Sequence, residues 1–133
     1  MMTLTLVFNY DMSKVLMCYH NKQRAYNFIG GHVEEGENPR DASYRELEEE
    51  TGISKDDIEL KFVRNESVTT GYCQPWTMYV TTGILKNKDF VLVPEKNRLE
   101  WIDVNENEAF LNAFGYGNCY MLMQEAMLVL SKE

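Results

Sequence analysis

The chain has 133 residues, 44% of them hydrophobic, and a formal net charge of −8. That is enough to bury a sizeable core in one domain spanning 1–133. The excess of acid argues against an extended surface for nucleic-acid polymers or anionic membranes, because such surfaces rely on clustered Lys and Arg. The opening stretch MMTLTLVFNYD has no basic n-region, and its apolar run is short and broken by threonine, so neither a signal peptide nor a membrane span is expected and the expected location is cytoplasmic. Cys18, Cys73 and Cys119 are an odd, scattered set without a C-x-x-C pair, which fits buried, reduced thiols and no zinc knuckle.

In chain order, Thr3 to Asn9, Val15 to His20 and Tyr26 to Ile29 read as strands, with Asp11-Met12-Ser13-Lys14 as the turn between the first two. A helix over 39–51 follows. Asn38 can cap it, Pro39 suits its first position, Asp41 puts negative charge in its first turn, and Gly52 supplies the stop. After it, Ile58 to Thr69, Thr77 to Leu85 and Arg98 to Ile102 read as strands, and Cys119 to Leu130 as an amphipathic helix. Mixed strands with segregated helices predict an α+β domain.

The helix carries the chemistry. Glu46, Glu49 and Glu50 stand at i, i+3 and i+4, on one face, while Tyr44, Leu47 and Thr51 form another that suits a core. Carboxylates so placed repel one another, and a cation must offset that repulsion. Oxygen donors on a rigid element, with no His or Cys pair nearby, suit Mg²⁺ or its substitute Mn²⁺ rather than Zn²⁺. Magnesium takes substrate phosphates as remaining ligands, so the pattern implies a diphosphate or polyphosphate. Arg45 lies four residues before Glu49 and can orient its carboxylate, with Glu37 on the preceding loop as a second partner. Glu48 points off this face, to solvent. A solvated acidic helix is the plainer reading of Glu48-Glu49-Glu50 taken alone. Gly30 and Gly31 make a turn or let a backbone carbonyl approach a metal.

Gly31 to Ile53 reads GHVEEGENPRDASYRELEEETGI and meets every position of G-x5-E-x7-R-E-U-x-E-E-x-G-U, where U is apolar, through Gly31, Glu37, Arg45, Glu46, Leu47, Glu49, Glu50, Gly52 and Ile53. The stretch resembles the Nudix box, and the chain resembles the Nudix (MutT-like) hydrolases. That resemblance implies the Nudix fold, a mixed β-sheet sandwiched between α-helices, with the box as a loop–helix–loop beside the sheet. It also implies that the residue matching Gly30 gives its carbonyl to the metal, beside Glu46, Glu49 and Glu50. In mutator-type members a glutamate directly before a similar tryptophan joins the metal cluster or acts as base; Glu100, before Trp101, matches it, with a surface glutamate as the other reading and Glu95 and Glu106 as substitutes. Asn118 falls roughly where the same subfamily contacts the purine, and is otherwise a helix N-cap. Ile29 stands where many members have proline.

Substrate choice is less sharply written. Lys22 and Arg24 meet phosphate or serve as exposed solubilising charge, and Tyr72, Trp76 and Tyr79 stack a base or line the sheet. The expected activity is Mg²⁺-dependent cleavage of a nucleoside diphosphate linked to another group, foremost a (d)NTP or oxidised (d)NTP giving monophosphate and pyrophosphate. Alternatives are an ADP-ribose or dinucleoside-polyphosphate hydrolase and a non-catalytic nucleotide-sensing module. The expected partner is a small phosphorylated nucleotide, with homodimerisation, common among members, left open.

Overall fold

The computed structural model describes residues 1–20, 25–68, 76–92, 98–105 and 119–132. These form strands β1 (Met2–Phe8), β2 (Lys14–His20), β3 (Ala25–Asn27), β4 (Ile29–His32), β5 (Lys61–Val68), β6 (Trp76–Ile84) and β7 (Arg98–Asp103), with helices α1 (Pro39–Thr51) and α2 (Cys119–Ser131).

All seven strands join one sheet, whose main path is β3-β2-β1-β6-β5, with β7 on β2 and β4 on β1. β1 runs parallel to β6 from Met2↔Met78 to Phe8↔Ile84, and the other pairings are antiparallel, so the sheet is mixed. The β1–β2 turn closes through Asp11, whose Oδ1 accepts from the Ser13 amide and hydroxyl at 3.0 and 2.6 Å, as an Asx-type turn should.

Strand alternation sends side chains to two cores. Leu4, Leu6 and Phe8 of β1, Met17 of β2 and Val80 of β6 pack with Leu122, Met123 and Ala126 of α2. Val7 of β1 and Leu16 and Cys18 of β2 pack on the other face with Leu47 of α1 and with Ile53, Ile58 and Leu60. Helices therefore cover both faces of the sheet, and the α+β expectation holds.

The structure redraws two strands. The single strand expected over Tyr26–Ile29 is two pieces that change partner: Asn27 pairs with Cys18 on β2, and Ile29 pairs with Thr5 on β1. β1 and β2 pair in register only at Phe8↔Val15, so the chain passing through buried Phe28 bridges the gap they leave, and Asn27 Oδ1 accepts the Phe28 amide at 2.8 Å. The strand expected from Ile58 begins instead at Lys61. Its first residues are held by a turn in which the Ser54 amide and hydroxyl donate to Asp57, and the Leu60 amide donates to the Tyr44 hydroxyl at 2.9 Å instead of to a neighbouring strand.

Candidate active site

The site is built on α1. Asn38, extended at φ −75° and ψ 136°, accepts the Arg40 amide through Oδ1 at 2.8 Å, Pro39 follows, and Gly52 ends the helix at φ 83° with its amide on Glu48 O at 2.9 Å. These are the caps that the sequence signals, and they fix the helix to the residues expected. Ala42, Ser43, Leu47 and Thr51 are buried on its inner face, and Glu48 is exposed as expected.

Arg45 is the hub. Its Nε and Nη2 donate to the two oxygens of Glu37 at 2.7 and 2.9 Å, a bidentate pair. Nη2 also donates to the His32 carbonyl at 3.0 Å, and Nη1 donates to Glu46 at 3.0 Å and to Glu49 at 3.3 Å. Glu34 stands 3.7 Å from Nη1. Glu37 in turn takes the Glu34 amide at 3.0 Å, closing the loop that precedes the helix. Arg45 thus locks helix, loop and β4 together. The guanidinium holds the Glu37 carboxyl below the usual carboxylate range, and the Arg45 cation is stabilised in turn.

Glu46 is not simply turned to solvent. Only 16% of its side chain is exposed, because Gly31 leaves space for it: a Cβ at Gly31 would fall 2.2 Å from the Glu46 carboxylate carbon. Burial pushes the Glu46 carboxyl up, against the pull of Arg45. Glu49 is half exposed and Glu50 lies one turn beyond Glu46 with intermediate burial. Gly30 pairs with Leu4 on β1, and a Cβ there would meet Thr3 O at 2.3 Å.

Four carboxylates, Glu34, Glu37, Glu46 and Glu49, face one guanidinium, so the locality keeps an uncompensated negative charge that attracts a cation. Among the described residues no three His, Cys, Asp or Glu side chains form a ready cation cage; Glu46 and Glu49 are turned onto Arg45. The donor set is nonetheless all oxygen, on a capped and half-buried helix, and fits a hard divalent ion.

Glu100 sits elsewhere. On β7 its cross-strand partner is Met17, it accepts a hydrogen bond from the Tyr26 hydroxyl on β3, and Arg98 Nε lies 3.7 Å away. Sequence reasoning missed Tyr26, Arg98, Glu34 and the His32 carbonyl, since each enters through strand register or backbone. Arg24, Lys22, Asn118, Glu95, Glu106, Tyr72 and Cys73 lie outside the described residues.

The NUDIX domain matches residues 3–122, and the chain belongs to that family. It is 29% identical over 119 residues to an uncharacterized Nudix hydrolase of Bacillus subtilis, covering 88% of this chain and 75% of that protein. An RNA pyrophosphohydrolase of Pseudomonas putida is 38% identical over 55 residues, 41% of this chain and 35% of the relative, so the match spans about a third of that protein's length. Among solved structures, the E. coli dihydroneopterin triphosphate pyrophosphohydrolase superposes with a TM-score of 0.80 at 18% identity, covering 96% of this chain and 94% of the other. The mixed sheet between helices is thus the Nudix fold. Among the described residues no helix is long and apolar enough to cross a membrane.

Proposed function

We propose that the chain is a divalent-cation-dependent pyrophosphohydrolase that cleaves a nucleoside triphosphate to a monophosphate and pyrophosphate. The observation that carries this reading is the Arg45-centred carboxylate cluster, in which Glu46 is wedged against Gly31. Glu46, Glu49 and Glu50 would hold Mg²⁺, or Mn²⁺ in its place, with the Gly30 carbonyl as a further oxygen; such an ion neutralises polyphosphate charge and acidifies bound water. Arg45, pinned by Glu37 and the His32 carbonyl, keeps the helix carboxylates in register with the loop. Water attacks one phosphorus, a P–O–P bond breaks, and the water's proton passes to a carboxylate, either Glu100 on β7 or one of the helix glutamates.

The P. putida relatives favour a second substrate, the 5′-triphosphate end of RNA, which presents the same bond. The net charge of −8 weighs against holding a polymer. Nucleotide and pyrophosphate products should be followed with Mg²⁺ from dNTPs, oxidised dGTP, ADP-ribose, diadenosine tetraphosphate and a 5′-triphosphorylated RNA oligonucleotide. A mononucleotide is expected to be turned over fastest, with kcat falling at least ~100-fold in Glu49→Gln and Glu50→Gln. Near-wild-type turnover by either variant at saturating Mg²⁺ would sink the proposal; preference for the oligonucleotide would move it to the RNA reading.

A further inference from the structure

The three nitrogens of the Arg45 guanidinium have different tasks. Nε and Nη2 hold the loop and β4 through Glu37 and the His32 carbonyl. Nη1 points instead at two carboxylates that a cation would need, Glu46 Oε1 at 3.0 Å and Glu49 Oε2 at 3.3 Å. Glu46 is wedged against Gly31, so the half-exposed Glu49 is the freer of the two to turn away. Its departure strands an N–H of Nη1 on a side chain that is only 26% exposed, and an unpaired charged donor in such a place is unfavourable. A further carboxylate stands close by. Glu34 Oε1 is 3.7 Å from Nη1, too far for a hydrogen bond but within reach of a small side-chain rotation. The Glu34 side chain is 69% exposed and free to rotate. Its backbone is anchored, with the amide donating to Glu37 Oε1 and the carbonyl accepting the Glu37 amide, each at 3.0 Å.

We propose that Glu34 is the positioning residue that releases Glu49 to the divalent cation: as Glu49 turns away from Arg45, Glu34 closes on Nη1 and takes the hydrogen bond that Glu49 gives up. The inference rests on the hydrolase reading and deepens it by naming what frees a metal-holding carboxylate from its arginine. Glu37 and the His32 carbonyl keep Nε and Nη2 throughout, so the guanidinium stays in place and only the acceptor on Nη1 changes. One carboxylate replaces another beside the same cationic side chain, which leaves Arg45 paired at every stage. Without Glu34, Arg45 and the divalent cation compete for the Glu49 oxygens, and affinity for the cation falls. Glu34 thus acts through Arg45 and not as a ligand.

Glu34→Ala removes the carboxylate and keeps both backbone contacts of the loop. Glu35 is the next residue, is also exposed and has the same charge, but forms no ion pair with Arg45 among the described residues, so Glu35→Ala measures the plain loss of one negative charge near the site. Calorimetric titration of the full chain with Mn²⁺ reads cation binding without turnover. Kd should rise roughly tenfold in Glu34→Ala, the lower end of the effect of losing a residue that orients a metal ligand. In Glu35→Ala it should change by no more than about twofold at physiological ionic strength, where the field of an exposed charge is screened. Both variants should melt with wild type in EDTA. An unchanged Kd in Glu34→Ala, an equal rise in the two variants, or a melting temperature lowered in Glu34→Ala alone would overturn the proposal. Glu49→Gln separates the two levels: if it binds Mn²⁺ as wild type does, the cation lies off the helix and the hydrolase reading falls together with this one, whereas weakened binding by Glu49→Gln beside wild-type binding by Glu34→Ala removes only the exchange.

Discussion

Arg45 has five N–H donors in a fixed fork, and the site uses every arm of that fork, on Glu37, Glu46, Glu49 and the His32 carbonyl. The pairing with Glu37 carries a signed pH dependence. The Glu37 carboxyl titrates below its ordinary value near 4.5 in the folded chain, so the stability it contributes is fully present above that value and is lost as pH falls through the depressed one. The urea midpoint of Glu37→Gln should therefore trail wild type by a constant amount from pH 6 to 8, and the gap should close in acid. A gap as wide at pH 3 as at pH 7 would show that Glu37 acts through packing and not through its charge. The two carboxylate partners of Arg45 foreseen in the sequence were legible because one lies four residues along a helix and the other in a fixed motif; the His32 carbonyl was not, because every residue has one.

At the scale of elements, β4 sits between β1 and α1, and its two glycines protect different neighbours. A side chain at Gly30 would strike the Thr3 backbone carbonyl, which cannot move without parting β4 from β1. At Gly31 it would strike the Glu46 carboxylate, the free end of a flexible side chain. Gly30→Ala should cost about 1–3 kcal/mol in urea unfolding, the usual penalty for overpacking. Gly31→Ala should melt near wild type yet lose most of its turnover, because Glu46 is pushed out of place. Equal effects of the two changes on stability would contradict this division. α1 could be read almost to the residue, since Asn38, Pro39 and Gly52 are local signals. The β3–β4 break could not, because the switch from Cys18 to Thr5 is made by partners far along the chain. The late start of β5 depends likewise on the Tyr44 hydroxyl, sixteen residues earlier than Leu60.

Over the whole molecule, a chain of net charge −8 concentrates acid on one helix that it must neutralise from outside. A ligand that binds only the folded state stabilises it by mass action, about 2.7 kcal/mol at a hundred times Kd. Saturating Mg²⁺ should accordingly raise the melting temperature by several degrees, EDTA should reverse the rise, and a variant with Glu46, Glu49 and Glu50 all changed to Gln should show none. An equal rise in that variant would place the cation elsewhere. The box, and with it the family, could be read from 23 consecutive letters. The contact of Tyr26 with Glu100 could not, because the two are 74 residues apart and meet only through the register of β2 with β3 and β7.

β1 has one further consequence, for the order in which the protein can be made. Its first half pairs with β4 within the first 32 residues, but its other edge waits for β6, which ends at Ile84. On a ribosome the helix that bears the carboxylates can dock on β1 and β4 while that second edge is still bare. An unpaired edge is a template for any passing strand, so the interval between synthesis of Thr51 and of Ile84 is when the nascent chain is most open to mispairing. Slow translation through that interval should favour aggregation, and an extra strand supplied in trans would compete for the seat that β6 takes.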